Sequence, residues 1–275
     1  MEKPLYMAHQ WMEAYMKSFY CEDKDIMFGI QMKEKHTGYV TANARNLAVH
    51  LKLDEHDVQL SELVGLLHDV GRFRQWQLYK TFVDAESEDH AALGVKSIVE
   101  LPFYEMMTEE DRQLVLFAIK NHNKKEIEQA PSPRHLLFAK IIRDADKLDI
   151  FRVLAPYLVK DMDMVQESDT IRKFMKGPNG EASGETGVFA PGFLERYVSG
   201  QQVDYSMIRT NEDRKLVRLM WVYDVNYAWT LQRICDKGYI DAIVANLPDL
   251  PMVRLGTERL RKYVAKKCST PDIAI

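Results

Sequence analysis

An adjacent histidine and aspartate, His68 and Asp69, stand at the end of the apolar run Leu63–Arg72. An ionised carboxylate in apolar surroundings needs a partner, and an imidazole beside it favours a divalent cation over a simple ion pair. At a helix terminus, both side chains can converge on one ion beyond the last turn. For an isolated pair the alternative is a hydrogen-bonded structural His and Asp, because short motifs often match by chance.

Two further histidines lie on apolar helical faces. His36 stands at the start of one stripe, at helical spacing from Val40, Ala44, Leu47 and Leu51. His122 is the last member of a second stripe, which contains Val115, Ala118 and Ile119. A lone inward histidine is usually a satisfied core residue, so these two gain meaning only in combination with the other candidates.

His90 and Asp146 complete the set. Ser87 is a candidate N-cap that places His90 in the first turn of a helix, and Gly94 allows another element to approach that helix closely. Asp146 falls on the apolar side of the predicted helix Leu136–Leu154, where a carboxylate is out of place unless it is bound to something.

Charged residues near these positions are candidates for supporting roles. Arg72 and Arg74 follow the His-Asp pair and offer planar donor forks to an anionic ligand. Asp144 and Asp149 lie on other faces of their helix, either supporting the site or solvated. Lys147 either neutralises charge near the site or is exposed. The other histidines form no such set: His9, His50, His56 and His135.

The elements that must position these side chains are predicted to be helices, and no strand signal outlasts a few residues. Gly71 is a plausible helix stop, and Gln75–Asp89 is predicted to be a loop that could cover the site. The Gly-rich stretch at 177–192 lacks the ending of a phosphate-binding loop, so a surface segment or lid is favoured. Asp224 is interpreted as a structural residue. The predicted helices are Leu5–Phe19, one from His36 to Leu51, Val58–Val70, one opened by Thr108 and ending at His122, Leu136–Leu154, Asn211–Lys237 and a short basic one after Val253.

Composition indicates an ordinary globular protein acting on a small substrate. The 275 residues are 46% hydrophobic and carry a net charge of -4, so there is no general basic field for extended nucleic acid. Cys21, Cys235 and Cys268 form no CxxC spacing, which favours a reducing cytoplasm over a disulfide scaffold. The N-terminus lacks a signal-peptide pattern and no apolar stretch approaches membrane-spanning length, so no membrane role is expected.

The six candidates occur in the order H…HD…H…H…D, and this order resembles that of the HD-domain superfamily of metal-dependent phosphohydrolases. Three local strings are similar to its motifs: Leu-Leu-His-Asp-Val-Gly-Arg, Asp-His-Ala-Ala-Leu-Gly and Arg-Asp-Ala-Asp-Lys-Leu-Asp. The resemblance implies an all-α HD-domain helical bundle with a C-terminal helical extension. Residues 1–160 would form the metal-binding core with an N-terminal packing helix, and 161–275 would pack on it without forming an independent domain.

The resemblance also implies one or two divalent metal ions. The first would be held by His36, His68, Asp69 and Asp146, while Asp69 could bridge to a second ion bound by the residues matching the family's extra histidines, His90 and His122. Nitrogen and oxygen ligands suit Mn, Fe, Co, Ni, Zn or Mg without choosing among them. The expected reaction is cleavage of a small, nucleotide-like phosphate ester by a metal-activated water.

Other roles follow from the same resemblance. Asp69, Arg72 and Lys147 are the expected catalytic residues, and Arg72, Arg74, His90 and His122 are the expected substrate contacts. Arg72 replaces the family's usual lysine, and the motif of cyclic-dinucleotide-cleaving members is missing after His122. Two alternatives stay open: a di-iron oxygenase of the HD fold, and a non-catalytic metal-stabilised binding module. A homo-oligomer is compatible with the aromatic content of the predicted helix Asn211–Lys237, which suits either the core or a subunit contact.

Overall fold

The computed structural model describes residues 1–159, 188–203 and 207–274. Every regular element in these ranges is a helix, so the all-α prediction is confirmed. The predicted domain boundary at residue 160, and residues 177–187 of the Gly-rich stretch, lie outside the described ranges. The described helices include no membrane-spanning candidate.

The chain divides into two compact units. The first comprises Met1–Asp149 together with the C-terminal residues from Ile273, and the second comprises Ile150–Asp272. The helix Pro133–Val159 runs through the division without interruption. The expectation that the C-terminal region packs on the core as an extension stays a prediction.

The first unit contains the helices that carry the candidate residues. A single 3-10 turn, Asp84–Glu86, interrupts the loop between the fourth and fifth helices. In chain order the helices are α1 Glu2–Lys17, α2 Lys24–His50, α3 Glu55–Leu67, α4 Val70–Tyr79, α5 His90–Ile98, α6 Pro102–Glu105, α7 Glu109–His122 and α8 Pro133–Val159.

Side-chain caps mark the beginnings of α2, α3, α5 and α7, and the cap of α2 is Asp23. Asp54 accepts a hydrogen bond from the backbone of Asp57 at the start of α3, and Thr108 does the same for α7. At α5 the cap is Asp89, whose carboxylate accepts hydrogen bonds from the backbone N–H groups of Ala91 and Ala92. The prediction that Ser87 is this cap is wrong, because the Ser87 hydroxyl instead donates to the Val83 carbonyl within the preceding loop.

Gly71 does not end a helix, contrary to its predicted role as a stop. Helix α3 ends at Leu67, the chain turns at His68 and Asp69, and α4 then includes Gly71 and extends to Tyr79. The predicted loop Gln75–Asp89 is therefore helical over its first residues. The glycine is required by close packing, since a Cβ at position 71 would lie 2.1 Å from the His90 carbonyl oxygen. The close approach predicted at Gly94 is confirmed, since it lies against Gly71.

Gly71→Ala should lower the free energy of unfolding by at least about 1–3 kcal/mol, because the new methyl group must push the backbones of α4 and α5 apart. Gly38→Ala is the matched control. Gly38 is an exposed position inside α2 with open space at its Cβ, so alanine should stabilise the protein by about 0.5–1 kcal/mol. Urea unfolding of both variants measures the difference, and equal effects would contradict the close contact.

The second unit is also helical in its described residues. The predicted single helix Asn211–Lys237 is wrong, because a 3-10 turn ends at Asp224 and Tyr227 has extended backbone. The Asp272 carboxylate accepts the backbone N–H groups of Ala228 and Trp229, and this bond favours a new helix start there. The described helices of the second unit that follow α8 are Phe193–Ser199, Asn211–Met220, Ala228–Asp236, Tyr239–Ala245 and Pro251–Cys268.

Candidate metal centre

The six candidate ligands come together in the first unit. They are contributed by α2, the turn between α3 and α4, the first residue of α5, the last residue of α7, and α8. Five of the side chains are buried, whereas the Asp146 side chain keeps 15% exposure and marks the edge of the cluster nearest to solvent. The six are His36, His68, Asp69, His90, His122 and Asp146.

The turn between α3 and α4 explains how neighbouring residues serve one site. Asp69 has φ −107° and ψ 17°, outside the helical geometry that His68 retains at the end of α3. This change of direction brings His68 Nε2 within 3.5 Å of Asp69 Oδ2. Two adjacent side chains, which diverge by about 100° inside a helix, therefore converge here.

A first group of ligand atoms surrounds one oxygen of Asp69. His36 Nε2 lies 3.4 Å from Asp69 Oδ2, 3.2 Å from Asp146 Oδ1 and 3.3 Å from His68 Nε2. The largest of the measured separations is 4.0 Å, between His68 Nε2 and Asp146 Oδ1. Ligands at 2.0–2.2 Å from a tetrahedral ion are separated by about 3.4 Å, so the spacing fits one ion.

A second group surrounds the other oxygen of the same carboxylate. His90 Nε2 lies 3.3 Å and His122 Nε2 lies 3.6 Å from Asp69 Oδ1, while the two ring nitrogens are 2.9 Å apart. Asp69, His90 and His122 therefore form a three-ligand group able to hold an ion. Asp69 is shared between the two groups, one oxygen to each.

Two of the histidines are oriented by the ends of their own helices. His68 Nδ1 lies 2.8 Å from the Gly65 carbonyl oxygen, and His122 Nδ1 lies 2.7 Å from the Ile119 carbonyl oxygen. These carbonyls belong to last helical turns, where backbone acceptors have no intrahelical donor. Each ring thus donates its Nδ1–H locally and turns Nε2 toward Asp69.

The other two histidines are oriented by carboxylates distant in sequence. His36 Nδ1 lies 2.6 Å from Asp149 Oδ2, and His90 Nδ1 lies 2.7 Å from Asp84 Oδ2. Hydrogen bonds of this kind fix the tautomer of metal-binding histidines and raise their basicity. All four imidazoles therefore have an oxygen acceptor at Nδ1 and direct Nε2 toward the centre.

This arrangement needs a positive charge at the centre. With Nδ1 as the donor in each ring, the Nε2 lone pairs of His90 and His122 face each other at 2.9 Å. Burial lowers the pKa of His68 to about 4 and the pKa of His90 to about 3, so at neutral pH these two rings carry no extra proton that could bridge the facing lone pairs. The donor set therefore fits a divalent metal ion.

The carboxylates carry the complementary charge. Burial lowers the pKa of His36, but contacts with Asp146, Asp149 and Asp69 outweigh this effect and raise the pKa to about 10. Burial raises the pKa of Asp69, yet the Lys33 ammonium and neighbouring imidazoles bring that pKa well below its ordinary value. Contact with His36 likewise lowers the pKa of Asp146. The centre thus favours ionised carboxylates around a cation.

Asp149→Asn should weaken metal binding by about 10-fold to 100-fold, because His36 loses the anionic partner that orients its ring. Calorimetric titration of Mn²⁺ into the metal-free protein measures the change. Asp249→Asn is the control, since that side chain is 82% exposed. Unchanged affinity in Asp149→Asn would show that the His36–Asp149 contact has no influence on the centre.

Three contributors were missed or left open at the sequence level. Lys33 Nζ lies 2.7 Å from Asp69 Oδ2, and its position three residues before His36 on the same helix was the available signal. Asp149 was left as supporting or solvated, and the structure buries it against His36. Asp84 lies in a region without periodicity, so nothing in the sequence indicated its contact with His90.

The predicted cationic residues occupy different surroundings. Arg72 Nη1 donates to Asp84 and the Phe82 carbonyl, while Arg72 Nε is buried 3.6 Å from Asp69 Oδ1 and has no hydrogen-bond partner among the described residues. Lys147 is buried, next to Asp146 in the chain. Arg74 is exposed, and the measured contacts of the described residues do not bring it to the cluster.

The four remaining histidines do not join the centre among the described contacts. His9 contacts Glu62, His56 contacts Asp111, and His135 contacts Ser132. His135 is buried, so burial alone does not distinguish the four central histidines from the others.

The fold and the centre define a class of helical protein with a buried His/Asp site fitted to a divalent metal. Comparison with known families makes this more specific: the family model described as HD domain matches residues 34–150. The resemblance stated from the sequence is confirmed over these residues, which are similar to the HD domains of metal-dependent phosphohydrolases. Comparisons with curated proteins and with solved structures gave no match.

Proposed function

We propose that this protein is a metal-dependent phosphohydrolase that cleaves a small, nucleotide-like phosphate ester. The observation that carries the proposal is the sharing of Asp69 between two groups of imidazole nitrogens, each ring being held by an oxygen acceptor at Nδ1. The HD-domain match supports the same class of reaction.

His36, His68, Asp69 and Asp146 would hold the first ion, and Asp69, His90 and His122 would hold a second. Bound there, a divalent ion supplies a water of lowered pKa and stabilises charge on phosphoryl oxygens. If only one ion binds, His90 and His122 would contact the phosphate instead. Both arrangements leave Asp69 as the central catalytic residue.

The protein's own groups would bind and orient the ester. Asp146 lies at the most exposed edge of the cluster, so the substrate would approach from that side. The Nε edge of Arg72, which has no hydrogen-bond partner within the part of the chain that the structure describes, would face the developing phosphoryl charge. Lys147 would contribute positive charge from α8. Arg74 is exposed, and we give it no role at the reacting group.

Metal analysis of the purified protein, followed by a phosphate-release screen over nucleotides with added Mn²⁺ or Co²⁺, tests the proposal. We expect at least one bound divalent ion per chain and metal-dependent release of phosphate from at least one ester. Metal-loaded protein that hydrolyses no phosphate ester would contradict it.

His90→Ala should bind one fewer ion than the wild-type protein, because it removes one of three ligands from the second group. Titration with Mn²⁺, read by elemental analysis after desalting, measures the stoichiometry. His135→Ala is the matched control, since that histidine contacts Ser132 outside the cluster. Unchanged stoichiometry in His90→Ala would assign His90 and His122 to substrate binding.

A di-iron oxygenase is the second candidate, because the same four histidines and two aspartates could bind two iron ions. Iron found in the purified protein, together with oxygen-dependent turnover, would favour it over hydrolysis. A non-catalytic metal-stabilised module would bind metal and show neither activity.

A further inference from the structure

Lys33 is a nearly buried cation beside the centre. Its side chain is only 11% exposed, and its ammonium lies 2.7 Å from Asp69 Oδ2 and 5.4 Å from the centre of the Phe82 ring. It occupies α2 three residues before His36, so both side chains lie on the same helical face. Lys33 therefore reaches the same oxygen of Asp69 that faces His36 and His68.

The ammonium has more donors than acceptors in these surroundings. A lysine ammonium carries three N–H donors, and in the described part of the chain the carboxylate of Asp69 is its hydrogen-bond acceptor. The face of the Phe82 ring lies on another side of the ammonium and attracts its positive charge, but the ring does not accept a conventional hydrogen bond. Donors in such a sheltered position suit an anionic oxygen supplied by a ligand.

Arg72 is less free to move toward a ligand. Its Nη1 is held by Asp84, Gln75 and the Phe82 carbonyl, which fixes the guanidinium against the loop. Lys33 instead has a flexible stem and rotatable donors. A divalent cation on Asp69 would also weaken the attraction between this carboxylate and the ammonium.

We propose that Lys33 binds a phosphoryl oxygen of the substrate, transferring its ammonium from Asp69 to the ligand when the metal centre is loaded. This inference rests on the proposed function, and it adds a second positively charged contact, from Lys33, to the one proposed for the Nε edge of Arg72. It also means that Lys33 opposes metal binding in the ligand-free protein, because it competes for the charge of Asp69.

Three variants test the proposal. Lys33→Met removes the charge and keeps the length, Lys33→Arg keeps the charge, and Lys35→Met is a control at an exposed position of the same helix. Calorimetry measures the affinity of each metal-free protein for Mn²⁺, and then the affinity of each Mn²⁺-loaded protein for inorganic phosphate. Thermal unfolding verifies that each variant is folded.

In Lys33→Met we expect Mn²⁺ affinity equal to or higher than that of the wild type, and phosphate affinity reduced at least about tenfold, the loss typical of one charge-assisted hydrogen bond. Lys33→Arg should retain phosphate affinity within about threefold, and Lys35→Met should match the wild type. Unchanged phosphate affinity in Lys33→Met, loss of its Mn²⁺, or a wild-type protein that binds no phosphate would each overturn the inference.

The binding readout separates this inference from the proposed function. If the wild type releases phosphate from an ester while Lys33→Met keeps full phosphate affinity, only the inference fails. If phosphate binds in a Lys33-dependent manner but no ester is hydrolysed, the inference stands and the proposed function fails.

Discussion

Asp69→Asn is expected to reduce turnover at least about a hundredfold, since losing a central electrostatic element typically removes about 3 kcal/mol or more of transition-state stabilisation. The substitution keeps the volume of the side chain but removes the negative charge shared by both groups of imidazoles. Its amide nitrogen cannot serve as the second oxygen ligand. The measurement is kcat and KM at saturating metal on the ester that the screen identifies.

Asp241→Asn provides the control for this experiment, because its side chain is 73% exposed and should leave kcat unchanged. Metal content of Asp69→Asn should be measured in parallel, and we expect it to fall. Near-wild-type turnover in Asp69→Asn would contradict a metal-centred mechanism and would leave the buried His68–Asp69 pair with a structural role.

Removal of metal with a chelator is expected to abolish turnover and to lower the free energy of unfolding. At a free Mn²⁺ concentration about a hundred times Kd, each site contributes about 2.7 kcal/mol that the chelated protein lacks. The physical reason is the crowding of ionised Asp69 and Asp146 with imidazole nitrogens, to which a bound divalent ion adds more positive charge than Lys33 supplies alone. Urea unfolding with Mn²⁺ or with chelator measures the difference.

Readdition of Mn²⁺ should restore both turnover and stability. Asp69→Asn should show a much smaller stabilisation by Mn²⁺ than the wild type, because it lacks the shared carboxylate. Identical unfolding curves for the wild type with and without chelator would show that no ion binds the native protein.

The inward positions of the ligands could be predicted because each is coupled to helical periodicity. His36 and His122 lie on apolar stripes of α2 and α7, and Asp146 interrupts the apolar side of α8, so burial and spacing identified them before their contacts were known. His68 and Asp69 directly follow the apolar residues of α3, so the sequence likewise predicted that they are buried. Local sequence therefore determined most of the helical framework.

The partners of these residues could not be predicted in the same way. Asp84 reaches His90 from a loop, and Asp149 reaches His36 across 113 residues of sequence, so both contacts depend on tertiary packing. The break before Ala228 was also hidden, since the apolar pattern continues through it and the capping carboxylate comes from Asp272. Periodicity reports which face is buried, but not what that face touches.

The contact between Gly71 and His90 has a consequence for which amino-acid substitutions the protein can accept during evolution. Because it joins main chain to main chain, the distance between the turn carrying Asp69 and the start of α5 is set by peptide geometry. Apolar side chains around it can then be exchanged for others of similar volume without altering that distance. The core sequence can therefore vary while the dimensions of the site are retained, and Gly71, where a Cβ would lie 2.1 Å from the His90 carbonyl oxygen, is the position of this contact that tolerates substitution least.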